Sequence, residues 1–467
     1  MCRIGPTMGP TEAIASGPKR LSLWDAISIV VGIVIGSGIF LVPSNILKTM
    51  GTPESLLAVW LAAGALSLFG ALSYGELGAI FPNAGGQYVY LREAYGPLCA
   101  FLYGWSLFLA AQSGSIAAVA VGFATYLGQF IPLGFTVIEL SVPVHVVISG
   151  TQLCAALLVL FLSVVNYLGL KYGSATQNIF TVLKAAACIA IVALAVVAGQ
   201  RPVSELMSGG QSPAGASYWG CFGVALVAAL WALDGWNNVT FISAETKNPR
   251  RNIPLALVLG TGAVVLIYIL MNLAYLRMLE PARIAASERV AAEAVQPVLG
   301  AWGADLVAAA IILSSFGCVN GMILAGARVY QAQAEDGLFP RSMVRIHPRF
   351  GTPSFSLLAQ GVWSALLALS GTYEQLFTFA IFALWVFYGL SVAALFLFRH
   401  RGMRSDGYRV WGYPFVPAAF LLLCVWLLIN TLVETPWESL IGIGIILAGL
   451  PAYALFRRAG ERAPSAR

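Results

Sequence analysis

From Leu23 onward the chain passes through a series of apolar stretches in which Asp, Glu, Lys and Arg are nearly absent. A helix needs roughly 20 largely apolar residues to cross the hydrocarbon of a bilayer, and a chain assembled from such stretches has no soluble fold open to it. Only 10% of the 467 residues are charged and the mean hydropathy is +0.82, whereas a soluble domain needs about 25% charged residues to cover itself. The surface must therefore face lipid. The stretches fall near 23–47, 55–81, 98–130, 146–170, 174–199, 218–245, 253–279, 304–331, 354–371, 375–398, 413–432 and 437–456. They read as twelve spans of an all-α polytopic membrane protein. The first runs too far to be the apolar core of a cleaved signal peptide, so the N-terminus is expected to be retained.

Lys and Arg concentrate on the cytoplasmic side of membrane proteins. Assigned to alternate loops, 20 of the 26 Lys and Arg fall on the side of the N-terminus and 5 on the other, with Lys184 alone in mid-span. Both termini are expected in the cytoplasm. The net charge of +6 reports this topology and not a nucleic-acid surface, because no soluble domain exists to present one. The seven cysteines are scattered, with no CxxC pair or neighbouring histidine, so neither a disulfide framework nor a metal site is expected. No cofactor motif is present. His145, His347 and His400 are far apart in sequence and read as solvated.

Ionisable groups in the hydrocarbon are costly and mark functional positions. Two lie near mid-span, Lys184 in the fifth and Asp234 in the sixth. The first span carries GIVIGSGIF over 32–40, with Gly36, Ser37 and Gly38 near mid-depth. Glycine costs a helix about 1 kcal/mol relative to alanine, so the triplet is a candidate break that would leave backbone N–H groups free to bind an anion. Gly32 and Gly36 would alternatively form a GxxxG packing face. The sixth span places an acid, a glycine and two amides in WALDGWNN over 231–238. Unwinding near 233–235 would free carbonyls suited to an ammonium group. The two interruptions open corresponding groups of five spans, which is the sequence pointer to a transporter's midplane site. Together they suit a zwitterion.

The stretches GSGIFLVPSNIL, SYGELGAIFPNAGGQYVYLREAYGP, DGWNNVTFISAETKNPRRNIP and SSFGCVNGMILAGARVYQAQAEDGLFP resemble the amino acid-polyamine-organocation superfamily, and within it the L-type amino acid transporter branch. The resemblance extends from Leu21 into the tenth span; beyond it the match is in hydropathy alone. It implies a LeuT-like fold with an inverted five-plus-five repeat, broken first and sixth helices and alternating access. The expected organisation is a tail over 1–20, the first repeat over 21–199, the inverted second over 217–399, two further spans over 412–457 and a tail over 458–467.

The resemblance also implies roles. Substrate carboxylate would meet the N–H groups of Gly36, Ser37 and Gly38, and the ammonium would meet carbonyls of Val34 or Ile35 and of Trp231, Ala232 and Leu233. Trp231 stands where the family has a gating aromatic; otherwise it is a packed tryptophan. Lys184, in NIFTVLKAAA, resembles the fifth-helix lysine of sodium-independent members, whose ammonium occupies the place of a sodium ion and ties the first helix to the fifth. Desolvation would alternatively make it a proton carrier. Asp234 would suit a cationic side chain, or be held by nearby N–H groups, Lys184 or Asn237. Ser113 and Ser115 on the third span and Asn237 on the sixth are polar specificity candidates, and Leu384 and Trp385 make an apolar wall on the tenth. The implied activity is sodium-independent exchange of neutral or cationic L-amino acids in the cell inner membrane; proton-coupled uptake of an amino acid or polyamine is the alternative. Neither enzyme nor channel is expected. Animal members are joined to a single-span glycoprotein by a cysteine between the third and fourth spans; 131–145 contains none, so no disulfide-linked heavy chain is expected. Asn238-Val239-Thr240 lies inside a span and is no glycan acceptor. Glu245, Lys247, Arg250 and Arg251 are candidates for gate ion pairs or for a solvated loop.

Overall fold

The computed structural model describes residues 21–82, 85–140, 146–168, 170–210, 217–370 and 373–461. The N-terminal tail, Cys2, His145 and residues 462–467 lie outside the described residues. Among those described, ten helices are long and apolar enough to cross a bilayer: Pro53–Ile80, Pro97–Leu127, Gly150–Tyr167, Gln177–Ala198, Tyr218–Glu245, Pro249–Met278, Val290–Glu335, Phe382–His400, Phe415–Glu434 and Ser439–Arg457. The bent pair Leu23–Val34 and Gly38–Met50 would make an eleventh, its halves meeting at 41°. Ser354–Ser370 occupies the expected ninth position with 17 residues, so a count of twelve requires this short helix to cross as well. The chain is an all-α polytopic membrane protein.

Local sequence sets where helices start. Ser22 and Asp25 form a capping box at the first span, and Ser149 and Gln152 form another at the fourth; each satisfies N–H groups that a helix start leaves unpaired. Thr52 caps the second span, followed by Pro53 at its first position, where a missing N–H costs nothing. The fourth span begins four residues later than the hydropathy suggests because Val146–Ser149 pairs as a strand with Thr136–Leu140. The eighth begins earlier, at Val290, with a break at Gly300, whose φ of +69° suits glycine.

Packing follows a two-fold pattern. Span 2 lies on 7, 3 on 8 and 4 on 9; span 1 lies on 7 as 6 lies on 2, and span 3 on 10 as 8 on 5. Exchanging the first five spans with the second five leaves this set of contacts unchanged. With five spans in each set, an odd number, the second set would cross in the opposite sense. In their most apolar stretches the third, sixth and eighth spans are 83%, 72% and 67% buried, whereas the eleventh and twelfth are 28% and 22%. The broken spans thus sit inside a scaffold, with the last two helices at its lipid-facing edge.

Candidate substrate-binding site

The first span stops at Val34 and resumes at Gly38. Its exposed carbonyls are held by neighbours. Lys184 Nζ donates to the carbonyls of Gly32 at 2.7 Å, Ile35 at 2.7 Å and Ser314 at 3.0 Å. Cys318 Sγ lies 2.9 Å from the Ile33 carbonyl, the Tyr268 hydroxyl donates to Val34 O at 2.8 Å, and Ser314 Oγ donates to Ile35 O at 3.0 Å. An ammonium has three donors and no acceptor, and here all three meet carbonyls. The buried lysine therefore ties the first, fifth and eighth spans together. It does not touch Asp234.

On the other side of the break, the Gly36 N–H turns back onto Val34 O at 2.8 Å. The Ser37 and Gly38 N–H groups find no partner among the described residues, and Ser37 Oγ is buried and unpaired. The second half-helix begins with these orphan donors, at the positive end of its dipole. A Cβ on Gly38 would lie 2.7 Å from Ala232 Cβ, so glycine is what lets the two breaks meet. Gly32 is a packing position, its missing Cβ occupied by Gln177 and Thr181 of the fifth span.

The sixth span is α-helical to Ala232, turns through Leu233, Asp234 and Gly235, and continues as a 3₁₀ helix over Trp236–Glu245. Gly235 has φ +99°, in the region that favours glycine. The Trp231 carbonyl accepts from Asp234 N at 3.1 Å within the turn, while those of Ala232 and Leu233 accept no hydrogen bond among the described residues. Asp234 Oδ1 accepts from the Tyr388 hydroxyl at 2.7 Å, and the same hydroxyl lies 3.2 Å from Asn237 Oδ1. Asn237 also donates to Gln87 at 3.1 Å.

These groups surround a cavity lined by Val34, Gly36, Ser37, Gly38, Ser115, Trp231, Ala232 and Asp234, with Ile33, Val119, Cys318 and Met322 completing its wall. The sequence reading did not name these last four. At about 10 Å³ the cavity holds no more than about one water. Trp231 forms part of its wall, its ring reaching to 3.3 Å of the Gly38 Cβ position. Ser115 Oγ is buried and unpaired at the wall. Ser113, Asn237, Leu384 and Trp385 are buried but do not line the cavity; Trp385 stacks on Phe420, centroids 5.7 Å apart. The third span becomes a π-helix over Leu107–Ala111 just before this wall, a distortion common at functional sites.

Tyr388 is the residue sequence reasoning missed, since a tyrosine within an apolar run carries no signal of its own. Replacing it with Phe removes the donor to Asp234 and Asn237 and is expected to raise the apparent KM by up to about tenfold, the cost of one buried hydrogen bond, with folding intact by size exclusion.

On the side where the first span begins, the protein is sealed. Trp236, Tyr74 and Tyr388 pack edge-on and tilted at 5.0 to 6.0 Å. Leu21 pairs through its backbone with Glu245 and Lys247, and Glu245 forms an ion pair with Arg328 at 2.6 Å. Arg250 reaches Asp406 only at 3.6 Å between exposed side chains, a contact of small value. Glu76, 1% exposed at its side chain, takes both Nε and Nη2 of Arg399 at 2.9 and 2.6 Å. Glu76→Ala is expected to destabilise by about 3 kcal/mol, because it leaves a largely buried guanidinium unpaired. The double replacement with Arg399→Ala should cost less than the sum of the singles, read as thermal midpoints.

Residues 21–452 match the amino acid permease family. The chain belongs to that family. This permease is 32% identical to the b(0,+)-type amino acid transporter 1 of Mus musculus over 94% of its own length and 88% of the relative's. It is 30% identical to the human cystine/glutamate transporter over 97% and 88%. It is 31% identical to a serine/threonine exchanger of Bacillus subtilis over 93% and 96%. The permease is a multi-pass membrane transporter of amino acids and not an enzyme.

Proposed function

We propose that this permease is a sodium-independent exchanger of L-amino acids in the cell inner membrane, with twelve spans and both termini cytoplasmic, working by alternating access. The observation that carries this reading is the Lys184 ammonium, which uses all three donors on carbonyls at the first-span break. A fixed cation already stands where a coupling cation would be held, so substrate alone would drive the cycle. The same geometry disfavours proton carriage, since a neutral amine would turn a lone pair toward a carbonyl oxygen.

Substrate carboxylate would bind the Ser37 and Gly38 N–H groups and the Ser37 hydroxyl. The ammonium would take the Ala232 and Leu233 carbonyls, because those of Val34, Ile35 and Trp231 already accept from Tyr268, Lys184 and the Asp234 N–H. Trp231 would swing out to admit substrate and close over it. The side chain would lie toward Ser115, Val119 and Met322, with Asp234 at the edge. Two of the relatives' names cite different amino acids, cystine and glutamate in one and serine and threonine in the other, as expected if the backbone clamp is common and this wall selects. The chain is taken to act without a disulfide-linked partner.

Asp234→Asn is expected to spare neutral amino acids and to weaken arginine or lysine about tenfold, the scale of one lost charge pair. Competition of each class against labelled substrate checks it, and equal loss in both would make Asp234 a scaffold residue. Exchange itself is tested in proteoliposomes without sodium or a pH gradient. Labelled uptake should require unlabelled amino acid inside; uptake into empty vesicles that follows a pH gradient would favour symport.

A further inference from the structure

A second cavity, of about 950 Å³, opens on the sealed face, away from the helix breaks. Three separate elements wall it: the end of the second span, the short helix Gln87–Tyr95, and the end of the tenth span with the segment that follows it. Arg399 at its floor is committed to Glu76 and lies over the Tyr413 ring at 3.7 Å. Arg404 and Arg409, both exposed, are different. They line the same cavity, and neither forms an ion pair among the described residues; Arg409 has only a 3.5 Å contact to Ser405 O. Phe396, Leu397 and Tyr413 line the same cavity, as does His400. Beside the cavity, Trp411 and Phe415 are 79% and 78% exposed. Exposed aromatics of this kind mark headgroup depth in membrane proteins.

Two guanidiniums without ion pairs in one cavity, at headgroup depth, form a receptor for a phosphate group; arginine recognises phosphate bidentately, and basic pockets at the cytoplasmic ends of spans take anionic headgroups. We propose that this cavity binds the phosphate group of an anionic ligand, supplied either by a phospholipid headgroup or by free phosphate in solution. Bound there, the ligand would bridge Arg404 and Arg409 and hold the segment 401–412 at the end of the tenth span, which would stabilise the folded protein.

The test uses the full-length protein, delipidated in neutral detergent, with thermal midpoint as readout. It compares wild type, Arg404→Gln/Arg409→Gln and Arg404→Lys/Arg409→Lys. Probes are phosphatidylglycerol, phosphatidylcholine and inorganic phosphate. Wild type should be stabilised by phosphatidylglycerol over phosphatidylcholine, with half-effect concentration raised about tenfold in the Gln variant and largely restored in the Lys variant. A response to inorganic phosphate alone, lost in the Gln variant, also supports the site and makes its ligand soluble. Equal responses of wild type and Gln variant to the two anionic probes, phosphatidylglycerol and inorganic phosphate, would overturn the proposal, as would a response to zwitterionic phosphatidylcholine equal to that of phosphatidylglycerol without any response to inorganic phosphate. Because both arginines are remote from the substrate cavity, retained amino acid exchange in the Gln variant shows that it has folded.

Discussion

Replacing Lys184 with Ala is expected to lower exchange by more than about tenfold and to lower the thermal midpoint. The side chain fills its three donors with the carbonyls of Gly32, Ile35 and Ser314. Removing it strips the first-span break of its link to the fifth span and leaves those buried acceptors short of partners, at about 1–3 kcal/mol for each left unsatisfied. Each 1.4 kcal/mol is a factor of about ten, so even one unsatisfied carbonyl would be visible. Lys184→Met keeps the apolar stem without the donors and should behave like Ala. Lys184→Arg keeps the charge but presents a broad planar fork to three acceptors arranged for a point cation, and should rescue little. Initial rates in proteoliposomes, paired with thermal melts of the same preparations, check the series; wild-type behaviour of Met would remove the tether.

Gly38→Val should abolish transport, by on the order of a hundredfold, which is the scale of a 1 Å misplacement at a working site. A Cβ there would sit 2.7 Å from Ala232 Cβ and 2.8 Å from Ala232 Cα. The second of these is backbone, so relief requires the first and sixth spans to separate where donors and acceptors must converge on one substrate. The control is Gly262→Ala, whose Cβ would meet only Leu68 at 3.9 Å and should leave rates unchanged. A Gly38→Val protein with normal transport would mean that the two breaks do not form one clamp.

Much of this was legible in the chain itself. The Gly36-Ser37-Gly38 triplet and the Asp234-Gly235 pair stand out against apolar surroundings, and both helices break there because glycine and a buried acid weaken a helix where little else would. Hydropathy placed most spans well. It could not see that Val146–Ser149 would pair with Thr136–Leu140, because β-branched residues at a membrane boundary read alike as strand or helix. The clamp was readable only in outline. Which carbonyls stay free depends on Tyr268, Ser314 and Cys318, residues remote in sequence whose hydroxyl and thiol groups reach the backbone only once the spans pack. Tyr388 escaped for the same reason: its value lies in meeting Asp234 from the tenth span. The π-helix at Leu107–Ala111 leaves no residue pattern at all.

In the proposed cycle the two backbone breaks bind the α-carboxylate and α-ammonium of an amino acid without sodium. Equilibrium binding of a labelled amino acid to the purified permease tests it most directly. Competitors are the same amino acid, its decarboxylated amine and its deaminated acid, each with and without sodium. Only the intact amino acid should compete, with either truncated analogue weaker by about a hundredfold or more, since each leaves a set of buried polar groups unpaired, and sodium should change nothing. Equal competition by the decarboxylated amine, or binding that requires sodium, would contradict the account.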